Sequence, residues 1–146
     1  MAIYNQRNST TSTNLVLTPA ELLQRAYATR CGVDYLQSQH SASAIQRDLE
    51  TVSLGTLRDV FGSTYIGTIA SRVDEIYVGS TSLTRSTAAS SASKGANDLS
   101  GIVSSAIDRG AKLITVAVSY VELYNATTGR TYLTLPRAAS VIKYDL

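Results

Sequence analysis

The residues of this chain with the greatest chemical capacity are few and far apart. Cys31 and His40 are each the sole member of their kind. A thiol beside an imidazole could serve as a nucleophile–base pair. Nine positions and a helix end separate these two, however, and nothing in their spacing demands contact. A lone Cys also gives no internal disulfide and no Cys-based metal cluster. Ser91-Ala92-Ser93-Lys94 matches the S-x-x-K pattern of acyl transfer, in which the lysine must lie near the nucleophilic serine. Here it falls in a run of small residues without partner motifs, and we read it as coincidence. Asp74 and Glu75 are adjacent, and in a strand they would face opposite sides, which argues against a shared acid–base or metal site. The sequence has no G-x-x-x-x-G-K-[ST], no G-x-G-x-x-G and no H-E-x-x-H. Catalysis and metal binding need several convergent ionisable or soft-ligand groups. The sequence therefore points away from an enzyme and implies no cofactor and no metal.

Tyrosine and arginine carry more information. There are nine Tyr against one Phe and no Trp, and ten Arg against three Lys. Tyr pairs an apolar body with a polar tip, and Arg forms planar, bidentate contacts, so both suit half-buried interface positions. On this basis the expected subunit-contact residues are Tyr4, Arg7, Leu15, Leu17, Tyr120, Tyr124, Arg130, Tyr132 and Arg137. Tyr120, Tyr124 and Tyr132 could also stack nucleobases. The basic residues are scattered from Arg7 to Arg137 without a basic run, so nucleic acid is not the expected partner.

The balance of the composition agrees. Of 146 residues, 44% are hydrophobic, enough for a folded core, and only 16% are charged, against about a quarter in ordinary domains. The net charge is +2. A weakly charged, Ser/Thr-rich surface suits one that neighbouring subunits cover. No apolar run has the length of a membrane span, the longest being Leu113 to Val118. The polar start, Met1 to Thr13, lacks the apolar segment of a secretory leader. The expected location is therefore a virion or a cytoplasmic assembly. Asn8-Ser9-Thr10 and Asn125-Ala126-Thr127 match the glycosylation pattern, which has no role without secretion.

The elements that would position these residues fall into two groups. Residues 1–17 read as an extended arm, polar over 1–14 and ending in Leu15-Val16-Leu17. Thr18-Pro19-Ala20-Glu21 is a capping box with Pro at the first helical position. It opens a helix that ends near Gly32 or runs on to Gln37. A second helix spans about 43–52, with Ile45, Leu49 and Val52 on one face. Ser53 caps a third, carrying Leu54, Leu57 and Phe61 and closed by Gly62. Residues 64–83 read as a helical or irregular start passing into a strand from about Asp74. Residues 84–96, small and polar, read as a flexible loop. Asn97 or Asp98 then caps a helix with Leu99, Ile102, Val103 and Ala106 on one face, stopped by Gly110. A strand over 112–124 follows, then a turn at 125–129 and a return strand over 130–135. Pro136 interrupts the pairing, and an edge strand covers 138–144. Both faces of the 112–124 strand are apolar, so one packs on helices and the other needs a cover, for which a partner subunit is a candidate. The fold class is α+β: a helical N-terminal half packed with a C-terminal helix plus a small antiparallel sheet or hairpin, residues 18–146 forming one domain.

Ile107-Asp108-Arg109-Gly110-Ala111-Lys112-Leu113-Ile114 resembles the helix-to-strand turn near the end of the small C-terminal module of phycobilisome linkers, without the paired glycines of that turn. The stretch covers under a tenth of the chain, and its resemblance implies an adaptor joining larger subunits. The leading expectation is a non-enzymatic structural subunit that assembles with copies of itself or other structural subunits, such as a virion or phage capsid, neck, tail or filament protein. The alternatives are an adaptor or linker and a small ligand- or nucleic-acid-binding module.

Overall fold

The computed structural model describes residues 2–62 and 65–146. It contains β1 (Tyr4–Leu17), α1 (Pro19–Gln37), α2 (Ala42–Leu49), α3 (Leu54–Phe61), α4 (Ile66–Gly79), α5 (Ser82–Arg109), β2 (Leu113–Asn125) and β3 (Thr131–Asp145). The class is α+β. The sheet is antiparallel with order β1-β2-β3, and helices pack on it.

Local chemistry sets most helix boundaries. Thr18 Oγ1 accepts from the Glu21 N–H at 3.2 Å, and Glu21 Oε1 accepts from the Thr18 N–H at 3.0 Å, closing the capping box of α1. These bonds hold the Glu21 carboxyl below its ordinary value. Ser41 and Ser53 cap α2 and α3 through the amides of Ala44 and Thr56. Gly62 and Gly110 stop α3 and α5 with φ of +76° and +66°, a left-handed conformation that glycine adopts without a side-chain penalty.

Four segments differ from the sequence reading. The return strand is not interrupted at Pro136: β3 runs from Thr131 to Asp145, and Pro136 pairs with Tyr120. Residues 84–96 are not a loop; they lie inside the 28-residue helix α5. Its small residues are small because the helix is buried there: Ala88, Ala89, Ala92, Gly95 and Ala96 all face neighbouring elements. Asn97 and Asp98 are therefore interior positions, and Thr81 is the cap. Residues 66–79 are helix α4, with no strand from Asp74; Ile69, Val73 and Ile76 keep helical spacing and are all buried. Thr64 lies outside the described residues. Within the expected extended arm, residues 4–17 are a strand of the sheet. This strand, β1, pairs with β2 from Tyr4↔Asn125 to Leu17↔Ile114.

The buried residues form two clusters. One gathers the C-terminal part of α1, α2, α3, α4 and the first half of α5 around Val121, Leu123, Leu133 and Leu135. The other joins Leu17, Leu22 and Ala26 to the second half of α5 and to Ile114, Val116, Val118 and Tyr120. Strand β2 serves both. Its buried positions alternate from Ile114 to Tyr120, then step by one to Val121 and Leu123. The step coincides with irregularities on both flanks. Ser9, Thr10 and Thr11 of β1 lie between the pairs Asn8↔Val121 and Ser12↔Ser119, and Arg137 of β3 lies between Tyr120↔Pro136 and Ser119↔Ala138. Extra residues of this kind bend a strand and change its twist. The expectation of a second apolar face awaiting cover is corrected accordingly. Val121 and Leu123 are buried within the chain, while the positions opposite Ile114–Tyr120 are mainly the half-exposed Thr115, Ala117 and Ser119.

Candidate functional site

The nine expected contact residues separate into three groups. Tyr4 (4% exposed), Leu17 (4%) and Tyr120 (8%) are buried in the fold, so they cannot form a contact surface. Leu15, Tyr124, Tyr132 and Arg137 are half-buried, and Leu15 packs on the second cluster. Arg7 and Arg130 are exposed.

The tyrosines and arginines largely satisfy one another. Arg7 stacks over Tyr124 at 4.2 Å, Arg72 over Tyr132 at 5.1 Å, Arg85 over Tyr77 at 4.2 Å and Arg109 over Tyr144 at 4.6 Å. Arg7 also pairs with Glu122 at 2.9 Å. Burial works against the charge on Glu122, but the bonds from Arg7, Ser9 and Thr131 prevail and hold its carboxyl below the ordinary value. The preference for Arg over Lys is thus partly an intramolecular matter, since a guanidinium stacks on a ring while it binds a carboxylate.

Sequence reading missed the cluster around Glu75. The rings of Tyr4 and Tyr132 stack at 4.8 Å between centroids. Both hydroxyls donate to Glu75 Oε2, Tyr4 at 3.3 Å and Tyr132 in a short bond. Burial, then the Glu75 carboxylate, pushes the Tyr132 phenol up. The cluster borders an open polar groove of about 580 Å³ lined by Gln46, Tyr65, Thr68, Ser71 and Arg72 among others. Tyr4 stacks on the Tyr132 ring and Arg72 lies over it, so that ring is already engaged within the chain.

The remaining chemical candidates are engaged elsewhere. Cys31 is half-buried, its thiol is pushed up by burial, and it bonds Tyr27 and Tyr35. His40 Nδ1 donates to the Ser38 carbonyl at 2.7 Å. Among the described residues no hydrogen bond joins Cys31 to His40. Lys94 of the S-x-x-K match pairs with Asp98 at 2.9 Å. Among the described residues, no group of three or more His, Cys, Asp or Glu could hold a metal ion, and no helix is long and apolar enough to cross a membrane.

The most distinctive surface feature is the contrast between the two edges of the sheet. The β3 edge is guarded. Pro136 has no N–H to offer, the Ala139 N–H donates to Asp98 of α5 at 3.1 Å, and Arg72 of α4 donates to the Tyr132 carbonyl at 3.0 Å. Strand β1 forms the other edge. Among the described residues, no backbone group of 5–16 bonds any element except β2. Residues 4–17 contain no Lys, no Pro and no Gly, and only Arg7 is charged. Ser12, Asn14 and Val16 are exposed on this strand, and the apolar Leu113 and Ile142 are exposed near the same end of the sheet. Natural sheets usually blunt such an edge. The usable signal in the sequence was the run of Thr and β-branched residues without glycine or proline.

No protein family, no curated protein and no solved structure matches the chain.

Proposed function

We propose that this protein is a non-enzymatic structural subunit that assembles into a multi-subunit particle, of the kind found in virion and phage capsids, necks, tails or filaments. The open β1 edge carries this reading. A 14-residue strand with one charge and an unoccupied row of backbone donors and acceptors is a template for pairing with another chain. The same molecule closes its other edge with two helices and a proline, so the opening at β1 stands out against its own counterpart. Exposed Val16 adds apolar surface to that edge, and Leu113 of β2 and Ile142 of β3 are exposed at the same end of the sheet. Light scattering on the purified full chain tests the proposal. The expected mass is well above the 15.6 kDa of one chain. A sharp species of 15.6 kDa at every accessible concentration would overturn it.

A further inference from the structure

We infer that two copies of this chain pair antiparallel through residues 13–17, about a twofold axis on Leu15, to make a continuous six-stranded sheet. The inference rests on the assembly reading above and names its partner and register.

Ser9, Thr10 and Thr11, which lie opposite Tyr120 alone, break the edge, and the Thr11 N–H folds back onto Ser9 Oγ at 3.0 Å. Ser12 resumes regular pairing with Ser119. At the other limit Thr18 is still extended, with φ −76° and ψ 161°, and Pro19 begins α1. The Thr18 N–H already donates to Glu21 Oε1 and its carbonyl accepts from Leu22, so the regular free edge runs from 12 to 17. Among protein partners, an extended strand matches a row of alternating backbone donors and acceptors group for group. Two antiparallel copies of one strand are related by an axis normal to the sheet, which keeps like faces together. Directly opposite residues must then share a face, so the axis falls on a residue and not between two. Within 12–17 that leaves Asn14 or Leu15, and the side chains select Leu15.

Side-chain chemistry agrees with this register. Leu15 is only half-buried although it packs on the second core cluster, and on the axis its open side meets its own copy. Thr13 falls opposite Leu17 of the copy, and Asn14 opposite Val16. Segment 13–17 has no charged residue, so self-pairing opposes no like charges.

The test uses two full-length double variants, Asn14→Lys with Val16→Lys, and Asn14→Glu with Val16→Glu. Both side chains are exposed in the single chain, Val16 by 60%. Each variant alone would place like charges opposite each other twice. The unmodified chain should show twice 15.6 kDa or a multiple of it. Each folded variant should fall to 15.6 kDa, and an equimolar mixture should recover twice that mass. Variants that keep the parent mass, or a mixture that stays at one-chain mass, would overturn the edge pairing and leave assembly by another surface standing. An unmodified chain that is always monomeric would overturn both. Should a variant fail to fold, hydrogen exchange on the unmodified chain decides. Amides within 13–17 that are protected when concentrated and released on dilution support the pairing; exchange independent of concentration overturns it.

Discussion

Gly95 of α5 lies directly against the backbone of Pro136 in β3: a Cβ at position 95 would meet the Pro136 carbonyl oxygen at 2.0 Å. This contact lets the longest helix cross the β3 edge. Gly101, six residues on in the same helix, has nothing within 4 Å of its hypothetical Cβ. The two glycines therefore predict opposite effects. Gly101→Ala should raise stability by about 0.5–1 kcal/mol through helix propensity. Gly95→Ala should lower it by about 1–3 kcal/mol, because backbone cannot yield as a side chain can. Urea unfolding of both variants measures the difference. Equal stabilisation by both would mean that α5 does not approach β3 so closely.

The same helix shows why some of the fold was legible and some was not. The start of α1 at Thr18 and Glu21, and the ends of α3 and α5 at Gly62 and Gly110, depend on contacts within one turn, and the sequence reading placed them correctly. Residues 84–96 were misjudged because Ala, Ser and Gly are common both in loops and wherever backbones touch. The spacing of Ala88, Ala92, Ala96, Leu99 and Val103 carried the helical period, and composition outweighed it. Strand β1 was hidden for a different reason. Its partner begins about a hundred residues away, and the Arg7–Glu122 pair spans 115 positions. A polar segment becomes a strand there through a long-range pairing that no local propensity encodes. Glu75 is not legible as a hub because its partners Tyr4 and Tyr132 lie 71 and 57 positions away in the sequence.

That hub yields the second prediction. Glu75→Ala removes the common acceptor of two tyrosine hydroxyls, one of them on a buried side chain. The expected loss is about 1–3 kcal/mol, the penalty for polar groups left unpaired. Glu75→Gln keeps an acceptor but removes the charge, so it should cost less and should lower the Tyr132 phenol toward its ordinary value. Chemical unfolding and phenolate absorbance read the two effects. A Gln variant as unstable as the Ala variant would show that charge, and not hydrogen-bond capacity, matters there.

Alkaline pH offers a third test. Burial, the leading cause in each case, pushes the phenols of Tyr4, Tyr35, Tyr120 and Tyr132 above the ordinary value of 10.0. The folded state thus holds these groups neutral beyond the point at which the unfolded chain ionises them. Their contribution is complete below about pH 10 and is lost as pH rises beyond it. Thermal melting should fall above about pH 10, and only part of the nine-tyrosine phenolate signal should develop before unfolding. A single titration of all nine near 10, with the chain still folded, would contradict the burial of these four rings.

The last prediction concerns the Arg25–Asp59 ion pair. Arg25 is 6% exposed, donates to Asp59 and to the Glu21 carbonyl, and keeps a buried Nε without a partner among the described residues. It sits beside Leu15, Val60, Leu99, Val118, Tyr120 and Pro136, where the two core clusters meet. A buried charge is costly unless paired, so Asp59→Ala strands a guanidinium in apolar surroundings. Asp59 is itself about a third exposed, which places the expected loss near the lower end of the ~3–5 kcal/mol range for breaking a buried pair. Replacing both partners, Arg25→Met with Asp59→Leu, removes the stranded charge and should recover most of that loss. A double-mutant cycle by chemical unfolding separates these outcomes. If the double variant is no more stable than Asp59→Ala alone, the penalty comes from lost packing around Val60 and not from an unpaired charge.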